Sequence, residues 1–218
     1  MSAGRFLTLE GIEGAGKSTV AKLIGDWLGS RGIAMRLTRE PGGTPLAERV
    51  RQIVLERGSE PLPAVGETLL MFAARALHVQ QIILPALSRG EWVVCDRFTD
   101  ATRAYQGSGR GVDRSLIEVL AQAVHPGLVP DCTLLLDVPV AAGLMRARSR
   151  APPASAANSD RFEAETTAFF DKVRAGYLAL AAAEPGRFRV IDALQPLDTV
   201  ERQIAAILTA LRAGSDRV

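Results

Sequence analysis

The sequence predicts an α/β protein in which a five-stranded parallel sheet is covered by helices on both faces. Three observations lead there. Short β-like runs alternate with segments of helical periodicity along the whole chain. The runs Trp92-Val93-Val94-Cys95 and Thr133-Leu134-Leu135-Leu136 are near-continuously apolar instead of alternating, as strands buried on both faces must be. Polar residues then follow the strand ends (Glu10, Arg39-Glu40, Asp96-Arg97, Asp137 and Asp192), where a parallel sheet gathers its ligands.

The first strand, Phe6 to Glu10, runs into Gly11-Ile12-Glu13-Gly14-Ala15-Gly16-Lys17-Ser18, which fits G-x-x-x-x-G-K-[ST]. The glycines let the backbone curl so that successive N–H groups point inward. Lys17 can reach the outer phosphates and the Ser18 hydroxyl can ligate Mg²⁺. A helix over Ser18 to Leu28 follows, with Thr19 in its first turn, as this phosphate loop requires. Strand Ala34 to Thr38 leads to helices Leu46 to Glu56 and Val65 to Leu87, and strand Trp92 to Asp96 precedes helix Ser115 to Val124. Strand Cys132 to Asp137, helices Ala141 to Arg148 and Glu163 to Ala183, strand Phe188 to Asp192 and helix Thr199 to Leu211 complete the order. Asp198 and Glu201 read as an N-cap pair for that last helix. Between Arg150 and Asp160 the chain is small, proline-bearing and uncharged, and Arg146, Arg148, Arg150 and Arg161 flank it. Segment 146–162 is therefore expected to be a lid over the site.

With 218 residues and 47% hydrophobic content, one domain spanning 1–218 suffices. A net charge of +2 gives no case for a nucleic-acid or membrane partner. No wholly apolar stretch reaches about 18 residues, and Met1 to Arg5 lead into a strand without a signal pattern. Cys95 and Cys132 sit in apolar strands without metal-ligand spacing, which suggests reduced core residues and a cytoplasmic location. His78 and His125 likewise lack metal-spaced partners and are expected to be non-catalytic.

The phosphate loop implies ATP or a related triphosphate and, with Ser18, Mg²⁺. A guanine-reading Asn-Lys-x-Asp segment cannot occur, because the three lysines are Lys17, Lys22 and Lys172, none in that context. Asp96 could hold the Mg²⁺ hydration shell and Arg97 a second phosphate; alternatively the two form a structural ion pair closing the strand.

Over nearly its whole length the chain resembles the bacterial thymidylate kinases, P-loop nucleoside monophosphate kinases that convert dTMP to dTDP. The resemblance rests on the phosphate loop with its internal Glu13, on Thr38-Arg39-Glu40-Pro41-Gly42-Gly43-Thr44, on Met71-Phe72-Ala73-Ala74-Arg75, and on Asp96-Arg97-Phe98. Ala104-Tyr105-Gln106-Gly107, Pro130-Asp131 before Leu136-Asp137-Val138, and Asp192-Ala193-Leu194-Gln195-Pro196 complete it. It implies that Phe72 stacks on thymine while Arg75, three residues on, donates to a base carbonyl. Thr102 would lie near the pyrimidine edge, Tyr105 would crowd a ribose 2′-OH with Gln106 beside it, and Glu13 would accept from the sugar 3′-OH. Arg39 and Arg97 would hold the acceptor phosphate, Pro41 would be cis, and Ala193 and Gln195 would border adenine. Since the variable loop positions hold no arginine, the transition-state arginine is expected from the lid: Arg161 first, with Arg148 and Arg150 as helpers. The resemblance also implies a homodimer. Two other readings use the same loop: a kinase for dUMP, dCMP or AMP, and a P-loop ATPase or nucleotide-binding regulator.

Overall fold

The computed structural model describes residues 4–56, 60–150, 161–162 and 165–215. Its centre is β1 (Phe6–Glu10), buried at every position. Around it β2 (Met35–Arg39), β3 (Trp92–Asp96), β4 (Cys132–Asp137) and β5 (Phe188–Asp192) form one parallel sheet in the order β2-β3-β1-β4-β5. The three inner strands are the near-continuous apolar runs of the sequence, whereas the edge strands β2 and β5 each expose two or more side chains. Leu7, Leu9 and Leu134 are fully buried, each worth about 1.5–3 kcal/mol of transfer free energy. Cys95 and Cys132 are buried free thiols in this core, as expected.

Helices cover both faces, and several begin where a side chain can accept from a free N–H. α1 (Lys17–Gly29) is the exception: Gly16 caps it without a side chain and its first turn holds no acid, which leaves its N-terminus open to an anion. Thr44 caps α2 (Pro45–Leu55) by accepting from the Ala47 N–H at 3.2 Å. The predicted long helix is a run of three pieces: α3 (Ala64–His78), a π-helical turn Val79–Ile83 and α4 (Leu84–Ser88). Pro85 brings no N–H to the ladder, and the turn before it widens. By length and composition this 25-residue run could cross a membrane. It also buries Glu67, Arg75 and His78, whose polar partners lie inside the protein, so it is a core helix.

The stretch after β3 carries no clear helical period in the sequence. It forms α5 (Thr99–Thr102) and a π-helical turn, Arg103–Gly109, packed on α8 (Thr167–Ala183). α6 (Arg114–Val124), α7 (Val140–Arg150) and α9 (Leu197–Ser215) complete the layers. Two helix starts differ from expectation by more than one residue. α8 begins at Thr167 because the Thr166 hydroxyl accepts from the Phe169 N–H at 3.2 Å and ends the extended approach there. α9 begins at Leu197, so Asp198 lies inside its first turn and pairs with Arg202 at 2.8 Å instead of capping. Most of the expected lid, residues 151–160, lies outside the described residues.

The phosphate loop rests on α7 through two glycines. A Cβ on Gly14, whose φ of +73° already disfavours one, would clash with the Gly143 carbonyl, and a Cβ on Gly143 would sit 2.7 Å from the Glu13 carbonyl. Gly143→Ala is therefore expected to cost about 1–3 kcal/mol in urea unfolding and to raise KM for ATP by displacing the loop. Parental stability and KM together would show that loop and helix yield freely at this contact.

Candidate active site

The phosphate loop joins β1 to α1 with Gly11, Gly14 and Gly16 all at positive φ (136°, 73° and 97°). Nothing lies within 4 Å of where a Gly16 side chain would stand, so open space fronts the α1 N-terminus. Lys17 is buried and donates to the Gly11 and Ile12 carbonyls at 3.1 Å each. Ser18 and Thr19 are exposed at the same helix end, and Ala15 is buried beneath the loop. On the neighbouring strand, Asp96 Oδ1 is buried without a hydrogen-bond partner, its nearest cation being Arg97 Nη1 at 4.0 Å. A hydroxyl beside an unpaired carboxylate oxygen at a triphosphate cradle is a donor set that fits Mg²⁺.

A cleft opens beside the loop, on the β2–β3 side of the sheet. Glu13, Arg97 and Tyr105 meet on its wall: Arg97 Nη2 donates to Glu13 Oε1 and to the Tyr105 hydroxyl, both at 3.0 Å, and Tyr105 donates to Glu13 Oε2 at 2.8 Å. Burial, opposed by Arg97 and aided by Glu13, drives the Tyr105 hydroxyl well above its ordinary pKa and keeps it a donor. Arg97 takes a left-handed backbone, φ 68°, to turn from strand to α5, the one non-glycine residue with positive φ among those described.

Deeper in the cleft, Arg75 Nε donates to Glu40 Oε2 at 2.6 Å, while Nη2 donates to Thr102 Oγ1 at 3.0 Å and to the Phe98 carbonyl at 3.2 Å. Its Nη1 is buried and has no partner. Burial alone would raise the Glu40 pKa, but Arg75 and His78 outweigh it and hold the carboxyl below its ordinary value. Cis-Pro41, Thr102 and Gln106 line the same cleft, as expected.

Three expected roles do not fit the geometry. Phe72 does not line the cleft; it is 2% exposed and packs with Val112, Ile117 and Ala121, its ring 4.6 Å beneath the Arg75 guanidinium. One residue back is about 100° around a helix, and Met71 occupies the cleft wall with Leu55. Arg39 lies at the end of the edge strand, about half exposed, and pairs with Glu48 at 2.8 Å. The cleft's further cation is Arg51, which donates to the Pro41 carbonyl at 2.9 Å. Arg161, finally, is bound to Glu67 by an ion pair and donates through Nε to the Val54 carbonyl at 3.1 Å. It anchors its neighbour Phe162, which lines the cleft, and does not itself line it. Arg148 is exposed on α7, and the Arg150 side chain lies outside the described residues. On the other side of the loop, Ala193 and Gln195 follow β5, and Arg146 of α7 donates to the Ala193 carbonyl at 2.9 Å.

Both histidines are engaged by the protein: His125 Nε2 meets Thr99 Oγ1 at 2.7 Å, and His78 meets Glu40 at 2.8 Å and Thr38 at 2.6 Å. Met71, Leu55, Arg51 and Glu40 are among the cleft residues that the sequence pattern did not mark as ligand-facing. Helical phase could have shown Met71, which is four residues from Arg75 and shares its face as well as Phe72 does.

A sequence profile described as thymidylate kinase matches residues 9–204. The thymidylate kinase of Chromohalobacter salexigens is 55% identical over 210 residues, covering 96% of this chain and 97% of that one. The thymidylate kinase of Methylococcus capsulatus is 52% identical over 98% and 99% of the two chains. Among solved structures, thymidylate kinase from Ehrlichia chaffeensis superposes with a TM-score of 0.74 at 33% identity, covering 95% of this chain and 99% of that one. With a phosphate cradle beside a cleft lined by Arg75 and Arg97, and this likeness over nearly the full length, the chain belongs to the thymidylate kinase family.

Proposed function

We propose that this chain is a single-domain, cytoplasmic, homodimeric enzyme that uses Mg²⁺ and transfers the terminal phosphoryl group of ATP to dTMP, giving dTDP. The observation that carries the acceptor assignment is Arg75, which lines the cleft and whose buried Nη1 has no hydrogen-bond partner. A thymine carbonyl satisfies it. Cytosine and adenine carry an amino group at the corresponding edge, donor against donor, which disfavours dCMP and AMP. Met71 and Leu55 supply the apolar surface for the ring, Glu13 accepts from the sugar 3′-OH, and Tyr105 crowds the 2′ position. Arg97 and Arg51 hold the acceptor phosphate.

At the donor end, Lys17 and the α1 N-terminus hold the outer phosphates, and Ala193 and Gln195 border adenine. Ser18 and Asp96 would hold Mg²⁺, which when bound neutralises phosphate charge during transfer. The attacking group is an oxygen of the dTMP phosphate, whose second pKa is about 6, so it is largely deprotonated at neutral pH without a protein base. That oxygen bonds to the terminal phosphorus as the bridging P–O bond breaks, and ADP leaves. The chain's task is to hold two polyanions in line. With Arg161 tied to Glu67, the arginine for the transferring group falls to Arg148 or Arg150.

Free buried thiols accord with a cytoplasmic location. Leu46, Ile53, Val65, Leu69 and Val119, about half exposed on α2, α3 and α6, supply apolar surface suited to a homodimer.

An acceptor panel tests the reading. ADP release with dTMP is expected to exceed that with dCMP or AMP by at least about 10³-fold in kcat/KM, and ATP turnover without acceptor is expected to be negligible. Acceptor-independent turnover would instead favour an ATPase. Within the phosphate clamp, Arg51→Ala is expected to raise KM for dTMP at least about tenfold, equivalent to about 1.4 kcal/mol, and Arg39→Ala less than about threefold. The reverse order would restore Arg39 to the clamp.

Burial, with Arg97 adding to it, lowers the Lys17 pKa to about 8. Bound phosphates favour the charged ammonium and raise that pKa, so above pH 8 ATP binding takes up a proton and weakens as pH rises. Calorimetry at pH 8.5 in two buffers of different ionisation enthalpy should give different apparent heats, and Lys17→Arg should abolish the difference. Identical heats for the parent protein would refute the coupling.

A further inference from the structure

Arg75 is one end of a buried chain of polar contacts. Thr38 Oγ1 lies 2.6 Å from His78 Nε2, and His78 Nδ1 lies 2.8 Å from Glu40 Oε1. The other carboxylate oxygen, Oε2, accepts from Arg75 Nε at 2.6 Å. His78 is 0% exposed, and Arg75 and Glu40 are 3% and 5% exposed. Cys95 brings a further ligand-type atom to within 4.8 Å of those of Glu40 and His78. Each of these atoms is already engaged, Cys95 Sγ by the Arg97 carbonyl at 3.0 Å, so the cluster reads as a hydrogen-bond relay and not a metal cage.

The Glu40 carboxylate can only accept, so Nδ1 carries a proton whether the imidazole is neutral or charged. In the neutral form Nε2 accepts from the Thr38 hydroxyl, and in the charged form it donates to it. The relay survives either state. Gly43 keeps it in place from outside: a Cβ there would stand 2.5 Å from His78 Cδ2, so the loop backbone lies close against the ring.

A carboxylate facing a guanidinium favours a paired, side-on contact with Nε and Nη2 together. Here only Nε reaches Glu40, and His78 is the partner of Oε1. Nη2 donates to Thr102 and the Phe98 carbonyl, which fix the guanidinium plane, and Nη1 has no hydrogen-bond partner. We infer that His78 is a positioning residue for acceptor binding: by holding one oxygen of Glu40, it prevents the side-on pair and sets the direction in which Arg75 presents Nη1. The inference rests on the reading of Arg75 as donor to the base carbonyl. It adds that the selectivity of that donor is set by a residue that does not line the cleft.

The test is steady-state kinetics of the full-length enzyme with dTMP and ATP varied separately. His78→Leu is expected to raise KM for dTMP about tenfold, with kcat within about threefold of the parent and KM for ATP unchanged. His78→Asn, whose amide can donate to Glu40 from the Nδ1 position, is expected to return KM to within about threefold. Thr38→Val releases the far end of the relay and is expected to raise KM for dTMP about threefold; it decides the matter if His78→Leu does not fold. A parallel fall in kcat, a rise in both KM values together, no rescue by asparagine, or parental KM in Thr38→Val would each overturn the inference. Arg75→Gln separates the two levels. If it leaves KM for dTMP unchanged, the donor reading itself fails; if it raises KM while His78→Leu and Thr38→Val stay at parental values, only the relay fails.

Discussion

A site that seats two phosphorylated ligands end to end needs cations that cannot move away, and a long flexible arginine does not stay in place unaided. Here the arginines in and around the cleft are held along one edge by the protein, most often through a carboxylate. Glu13 holds Arg97, Glu40 holds Arg75, and Glu67 holds Arg110 and Arg161. Glu40 and Glu67 are almost completely buried. Removing one member of such a buried pair typically costs about 3–5 kcal/mol, because the other is left charged and unpaired in a poor solvent. The carboxylates therefore do more than balance charge. They fix which guanidinium edge faces the protein and which faces the ligand.

The same burial sets the protonation behaviour beneath the loop. Glu10, at the end of β1, accepts from the Phe98 N–H at 2.8 Å and the Tyr177 hydroxyl at 2.7 Å, yet burial, with Asp100 nearby, pushes its pKa up to about 8. A carboxyl whose folded pKa is raised in this way contributes stability below its ordinary pKa, and that contribution is lost as pH rises through the folded value. Two hydrogen bonds lower the pKa and do not offset the desolvation. Lys17, a few residues on, is shifted down toward the same range. The protein thus places a carboxyl that is largely neutral at pH 7 near a lysine that is still mostly charged there, under a loop built to hold phosphate.

Much of this was legible in the sequence because the strands are short, apolar and followed by charged residues. The strand runs matched the sheet, apart from a one-residue shift at β2, whose exposed edge position blurs the apolar signal. The phosphate loop was legible because its glycines have a backbone reason to be there. The stretch from Thr99 to Gly109 was not, since its small polar residues and two glycines carry no helical stripe; it is held by packing on α8, a contact remote in sequence. Phe72 shows the other limit. An aromatic residue three positions from an arginine fits a stacking role, but so does an aromatic that packs under the arginine, and Phe72 does the latter. Arg39 and Arg51 are distinguished only by where β2 ends and α2 turns back over the cleft. Pair distances across the fold decide these cases, and helical or strand period does not carry them.

The sheet order divides the ligand edge into two sides. β1 is central, so the phosphate loop stands between β3, its neighbour on one side, and β4 on the other. Chain leaving β2 and β3 toward the ligand edge supplies Glu40, Pro41, Arg97 and Thr102, all lining the cleft. Chain leaving β4 and β5 supplies α7 and the Ala193–Gln195 loop, joined by the Arg146 contact to the Ala193 carbonyl. Arg174 of α8 ties down the end of β4 by pairing with Asp137 at 2.7 Å. Transfer between the two halves can occur only over the central strand, where Lys17 and the α1 N-terminus stand. Placing the loop on an edge strand would leave one ligand without a wall, so the central position of β1 is a condition of the reaction as much as of the fold.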